Sequence, residues 1–153
     1  MTRPEPKYAE DLRAGQHISL GSFTLSRPEL LSFAERWDPQ DFHIDEAVAA
    51  NGRFGDVIAS GVQTLAIFQR LSVLAVERDW AVIAGTRLIE VRFLRPVHAD
   101  TTLTGGVRVK SVDIDRTRRR ATVVKAGWLD DGADRVFEIE SEALVRSRPK
   151  PFG

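Results

Sequence analysis

The chain has 153 residues, 42% of them hydrophobic and 29% charged, which suits one soluble domain able to bury a core. Lys and Arg total 22, and so do Asp and Glu, so no charge excess points to nucleic acid or a membrane surface. Cysteine is absent, which excludes disulfides, thiolate metal sites and a cysteine nucleophile, and fits a reducing, cytoplasmic setting.

The stretch up to Gln16 is polar and lacks the apolar core of a signal peptide. A short strand is expected over 16–24. Ser26 and Glu29 stand three apart with Pro28 between them, the spacing of a capping box, so a helix starts after Ser26. It runs through Leu30, Leu31, Phe33 and Ala34 and stops near Trp37, because Pro39 disfavours helical geometry at Asp38. A loop over 38–45 and a helical piece over 46–50 follow, broken by Asn51-Gly52. A long helix is expected over 60–77. Its apolar residues, from Val62, Leu65 and Ile67 to Leu74 and Val76, cannot share one face, which predicts a helix enclosed by other structure. Gln63, Thr64, Gln69, Arg70 and Ser72 interrupt it, and it is too short to span a membrane.

From Arg87 onward the period is two. Ile89, Val91 and Phe93 alternate with Glu90 and Arg92, Val107 and Val109 with Arg108 and Lys110, and Phe137 and Ile139 with Glu138 and Glu140. Ala121 and Val123 alternate more weakly with Arg120 and Thr122. The pattern predicts an antiparallel meander with one buried face. With no repeat or break in composition, residues 1–153 read as one domain with its core over about 16–147. The expected class is α+β, a curved antiparallel sheet wrapped around a long central helix. Its open sheet edges predict a homodimer or higher even oligomer.

Residues Asp38-Pro39-Gln40-Asp41-Phe42-His43-Ile44-Asp45 place a carboxylate and an imidazole five positions apart. Ile58-Ala59-Ser60-Gly61 then opens the long helix with a bare glycine amide. Acid–base groups beside unsatisfied N–H groups suit the addition or removal of water next to a carbonyl. Taken singly, each has a plainer reading: Asp38 as a helix stop, His43 as a structural histidine, Ser60-Gly61 as an N-cap. Asp41 and Asp45 read as turn or capping residues, and His17 and His98 as surface groups. Arg116, Arg118, Arg119 and Arg120 read as a solvated hairpin, and Trp37, Trp80 and Trp128 as packing groups. Three scattered histidines do not make a metal site.

These segments, together with Phe33-Ala34, Phe54-Gly55 and Val91-Arg92-Phe93-Leu94-Arg95-Pro96-Val97, resemble the MaoC-like dehydratase family, whose type member is the (R)-specific enoyl-CoA hydratase. The resemblance covers about 23–146. It implies the hot-dog fold and a hydro-lyase of lipid metabolism that adds water reversibly to a 2-enoyl thioester. It also implies Asp38 and His43 as the catalytic pair, with the Gly61 amide, flanked by Ser60, facing the thioester oxygen. No metal or cofactor is implied; coenzyme A or an acyl carrier enters as part of the substrate. Arg92 and Arg95 are candidates for its phosphates, in competition with the Arg116–Arg120 cluster. Two positions depart from the family pattern: Ser60 stands where a histidine is typical, and Gln69 where a serine is. Both departures bear on the substrate. A hot-dog thioesterase is the rival enzyme, but residues 62–76 lack the carboxylate it would use. A non-catalytic acyl-binding subunit is the third reading, and the intact Asp38/His43 pair counts against it.

Overall fold

Ser26 opens the first helix as its spacing requires. Its hydroxyl accepts from the Glu29 N–H, and the Glu29 carboxylate accepts from the Ser26 N–H, both at 3.3 Å. In the computed structural model, which describes residues 3–151, the main elements are β1 (His17–Leu25), α1 (Arg27–Trp37), α2 (Asp41–Ile44), α3 (Glu46–Ala50), α4 (Gly61–Ala75), β2 (Val82–Phe93), β3 (Thr101–Asp115), β4 (Arg120–Asp130) and β5 (Arg135–Arg146). The five strands form one curved antiparallel sheet in the order β1-β3-β4-β5-β2, and α4 lies against its inner face. This is the hot-dog fold.

Strand alternation places the core. Along β4 the buried residues are Ala121, Val123, Lys125, Gly127 and Leu129, every second position. Ala121, Val123 and Leu129 meet Phe137, Ile139 and Val145 of β5 and Ile67, Phe68 and Leu71 of α4 in one apolar cluster. Two expectations fail here.

The first concerns order. Strands β3, β4 and β5 form the expected meander, but β2 pairs with β5 at the far edge and not with β3. Residues 94–100 carry the chain across the end of the sheet, held by Ala59 N–H to the Val97 carbonyl at 2.8 Å and Asp100 N–H to the Leu25 carbonyl at 2.6 Å. Period-two alternation reports which face is buried. It does not report which strand is the neighbour.

The second concerns α4, which is covered on one side only. Ile67, Phe68 and Leu71 enter the core with Gln63, Thr64 and Ser72, whereas Val62 is 55% exposed and Ala66 and Leu74 are also open. Strand β2 is uncovered as well: Ile83, Leu88, Ile89 and Phe93 are all exposed. The surplus apolar surface that suggested an enclosed helix is real, but this chain's own sheet does not consume it. The ring of Phe93, at the end of β2, lies against Gly61 at the start of α4.

The segment before α4 is pinned from outside. Arg27 at the start of α1 forks onto Asp56 at 3.0 and 2.6 Å and reaches Glu46 at 3.0 Å. That guanidinium holds the Asp56 carboxyl down at about 2. The contact ties α1 and α3 to the loop leading into α4, which fixes where the loop's residues fall. Among the described residues no helix is long and apolar enough to cross a membrane.

Candidate active site

The site forms where α1 ends, α2 turns and α4 begins. Pro39 ends α1 at Asp38, whose backbone leaves helical geometry (φ −154°, ψ 69°) after a last bond from its N–H to the Ala34 carbonyl at 2.8 Å. The chain then folds into α2, a single turn where the sequence suggested only loop. That turn buries His43, which is 4% exposed. Its Nδ1 lies 2.6 Å from the Ile58 carbonyl oxygen. A carbonyl only accepts, so Nδ1 carries the proton and Nε2 is left facing Asp38 Oδ2 at 3.3 Å.

Ser60 caps α4, its Oγ accepting from the Val62 N–H at 3.2 Å. The same hydroxyl donates to Asp38 Oδ2 at 2.7 Å, and Gln40 Nε2 donates to Oδ1 at 2.8 Å. The Ser60 hydrogen bond, then that of Gln40, holds the Asp38 carboxyl below its ordinary value; partial burial opposes this and the nearby imidazole adds to it. Asp38 is therefore a carboxylate at neutral pH. Gly61 follows, and its N–H has no acceptor among the described residues. The Phe93 ring lies directly on its α-carbon: a Cβ there would fall 2.9 Å from two ring atoms.

Asp38, Gln40, His43, Gly61, Phe93 and Arg95 all line one cavity of about 470 Å³. An ionised carboxylate, an imidazole with a free ring nitrogen and an unspent helix-start amide thus share one apolar-walled space.

The comparisons with known proteins agree with this architecture. The family model for the MaoC like domain matches residues 10–129. The chain belongs to the MaoC-like family. An uncharacterised Bacillus subtilis protein, YdeM, is 32% identical over 137 residues, covering 90% of this chain and 97% of that one. The structure described as a monoamine oxidase regulatory protein from Archaeoglobus superposes with a TM-score of 0.87 at 26% identity, covering 97% and 100% of the two chains. The R-hydratase PhaJ1 of Pseudomonas aeruginosa shares the fold, with a TM-score of 0.69 at 20% identity over 97% of each chain.

Within this MaoC-like chain, Asp38, His43, Ser60 and Gly61 come together. Arg95 lines the cavity and reaches Asp134 at 3.8 Å, but Arg92 does not reach it. Strand alternation turns Arg92 away from Phe93 onto the outer sheet face, where it meets Glu138 at 3.6 Å. Arg116 to Arg120 sit in the β3–β4 turn, at the end of the sheet opposite Phe93. Trp37 is exposed beneath the Arg36 guanidinium and lines no part of the cavity. Gln69 lies just past the middle of α4, about 12 Å along the helix from Gly61. Sequence reasoning missed Gln40 as a donor to Asp38, Ser60 as its partner and Phe93 as the cover over Gly61. The fold alone brings Ser60 to Asp38 and Phe93 to Gly61, whereas Gln40 stands only two residues from Asp38.

Proposed function

We propose that this chain adds water reversibly to the double bond of a 2-enoyl thioester, using no cofactor beyond the coenzyme A or acyl carrier of the substrate. The observation that carries the reading is the 3.3 Å approach of His43 Nε2 to Asp38 Oδ2 in the cavity that also holds Gly61. Both atoms are acceptors, so one water donates a hydrogen to each. His43 Nε2 takes a proton as the hydroxyl bonds to the β-carbon, and the imidazolium formed lies against the Asp38 carboxylate. The π electrons move to the thioester oxygen, which the Gly61 amide stabilises at the positive end of α4. The proton on Nε2 then passes to the α-carbon. One O–H bond and the π bond of the double bond are exchanged for a C–O and a C–H bond, on a single face of the substrate. Arg95, at the mouth of the cavity, is the candidate for a phosphate of coenzyme A.

The test is to mix the protein with crotonyl-CoA and follow conjugated absorbance and free thiol together. Loss of absorbance without thiol supports hydration. Released thiol would mean a thioesterase, and neither change a binding subunit.

The exposed β2 edge and the open side of α4 support a homodimer in which a second copy covers both. A twelve-residue apolar edge strand left bare is an aggregation hazard. Ile83→Lys with Leu88→Lys is expected to convert an even-numbered assembly to monomer in sedimentation velocity. An unchanged sedimentation coefficient would place the contact elsewhere.

A further inference from the structure

Farther along α4 lies a second cavity of about 390 Å³, bordered by Gln69, Glu77, Thr86, Leu88, Lys125 and Ser141. Lys125 is out of character there. Alternation along β4 turns it onto the core face between Val123 and Gly127, where it is only 5% exposed. It pairs with Glu77, and its Nζ lies 5.5 Å from the Trp80 ring centroid. The Glu77 carboxylate is well supplied with donors, accepting also from Ser72 Oγ at 3.0 Å and Gln69 Nε2 at 3.3 Å. Lys125 is not matched in the same way. An ammonium carries three N–H groups, and among the described residues Glu77 is its one acceptor. The Ser141 hydroxyl, on the neighbouring strand directly opposite Lys125, makes no hydrogen bond among those residues. A buried ion pair of this kind adds little stability over apolar packing. Its spare donors face a cavity.

Both cavities border α4 and β2: Gly61 and Phe93 line one, Gln69 and Leu88 the other. The eight residues from Gly61 to Gln69 rise about 12 Å. At roughly 1.2 Å of reach per bond of an extended chain, that distance is about ten bonds.

We propose that the second cavity receives the far end of the acyl chain held at Asp38, His43 and Gly61, and that it selects a chain ending in a neutral oxygen group, a hydroxyl or ketone. The proposal rests on the thioester reading above and adds the substrate class. An alkyl end would leave the Lys125 N–H groups not spent on Glu77 without acceptors. A carboxylate end would add a charge where Lys125 and Glu77, and Arg87 and Glu142, already balance one another. A hydroxyl or carbonyl oxygen accepts from Lys125 and Ser141 at no charge cost.

The experiment compares hydration of 2-decenoyl-CoA, 10-hydroxy-2-decenoyl-CoA and 2-decenedioyl-CoA, whose terminal oxygens stand about ten bonds from the carbonyl. The hydroxylated chain is expected to show kcat/KM about ten-fold above the plain one, carried mostly by KM, and the diacid no gain. Ser141→Ala, and Lys125→Met combined with Glu77→Gln to remove both charges together, are each expected to bring the ratio towards one. Equal kcat/KM for the plain and hydroxylated chains in the wild type overturns the proposal, as does an unchanged ratio in the variants or a preference for the diacid. If no enoyl chain is hydrated, the thioester hydration reading fails instead. Calorimetric titration with decanoyl-CoA and 10-hydroxydecanoyl-CoA then decides the cavity alone: a similar difference in Kd supports it, and equal affinities overturn it.

Discussion

Asp38→Asn is expected to lower hydration of crotonyl-CoA by about 10²–10⁴-fold while leaving the fold in place. The substitution keeps size and shape, and an amide oxygen can still accept from Ser60, so the loss isolates the charge. Without a carboxylate 3.3 Å from His43 Nε2, the imidazolium that forms during water addition has no counter-charge. His43→Ala should cost as much in rate but also some stability, because it leaves the buried Ile58 carbonyl without its 2.6 Å donor. The double variant should be hardly slower than either single one, since the two residues act on one water. Additive losses would show that they act in separate steps.

Ser60→Ala tests the electrostatics behind that pair. The Ser60 hydroxyl is the largest cause of the lowered Asp38 pKa, so its removal should raise the Asp38 titration towards the ordinary 3.8. The sign follows from linkage. A carboxyl depressed in the folded state adds stability that is present above its unfolded value and lost as pH falls through its lower native value. The variant should narrow that window from its acid side. Carbon NMR of the Asp38 carboxyl across acid pH reads this directly, and an unmoved midpoint would remove Ser60 from the account.

Local signals in the chain proved reliable where the physics is local. The capping box at Ser26 and Glu29, the stop imposed by Pro39 and the five-residue piece Glu46–Ala50 all form as read. The Asp38/His43 spacing was legible, but not how it works: α2 is one turn of helix, too short to leave a periodic trace, and it buries the imidazole. What failed was relational. Alternation in β2 could not report that β5, and not β3, lies beside it. Apolar residues on most sides of α4 could not report that its uncovered side awaits something other than its own sheet. Lys125 reads as one charged letter in a weakly alternating strand, and only the folded register turns it inward opposite Ser141. Arg92 shows the same gap in reverse, a plausible phosphate ligand in sequence that strand geometry points away.

Gly127→Ala is expected to cost about 3 kcal/mol of stability, a large loss for one methyl group. Position 127 lies where α4 presses on β4. A Cβ there would stand 2.2 Å from Phe68 Cζ, 2.5 Å from Cε2 and 3.0 Å from Ile139 Cγ2. Phe68 is buried against Phe137, with ring centroids 5.6 Å apart, and has no open side to move into. A fall in Tm of about 6–12 °C follows for a domain of this size. Gly106→Ala is the control. There the Cβ would meet Trp128 at 2.3 Å, but that ring is half-buried on the outer sheet face under Arg135 and can lift towards solvent, so about 1 kcal/mol is expected. Adding Phe68→Leu to Gly127→Ala should recover much of the loss, because the shorter side chain vacates the contested space. The consequence reaches the site. Phe137 packs on Phe93 at 5.9 Å, and Phe93 covers Gly61, so a displaced Phe68 disturbs the surface on which the thioester would lie. Gly127→Ala should therefore raise KM for crotonyl-CoA as it lowers Tm, and the Phe68→Leu partner should correct both. A Tm within about 2 °C of the wild type would show that α4 does not press on the sheet at Gly127.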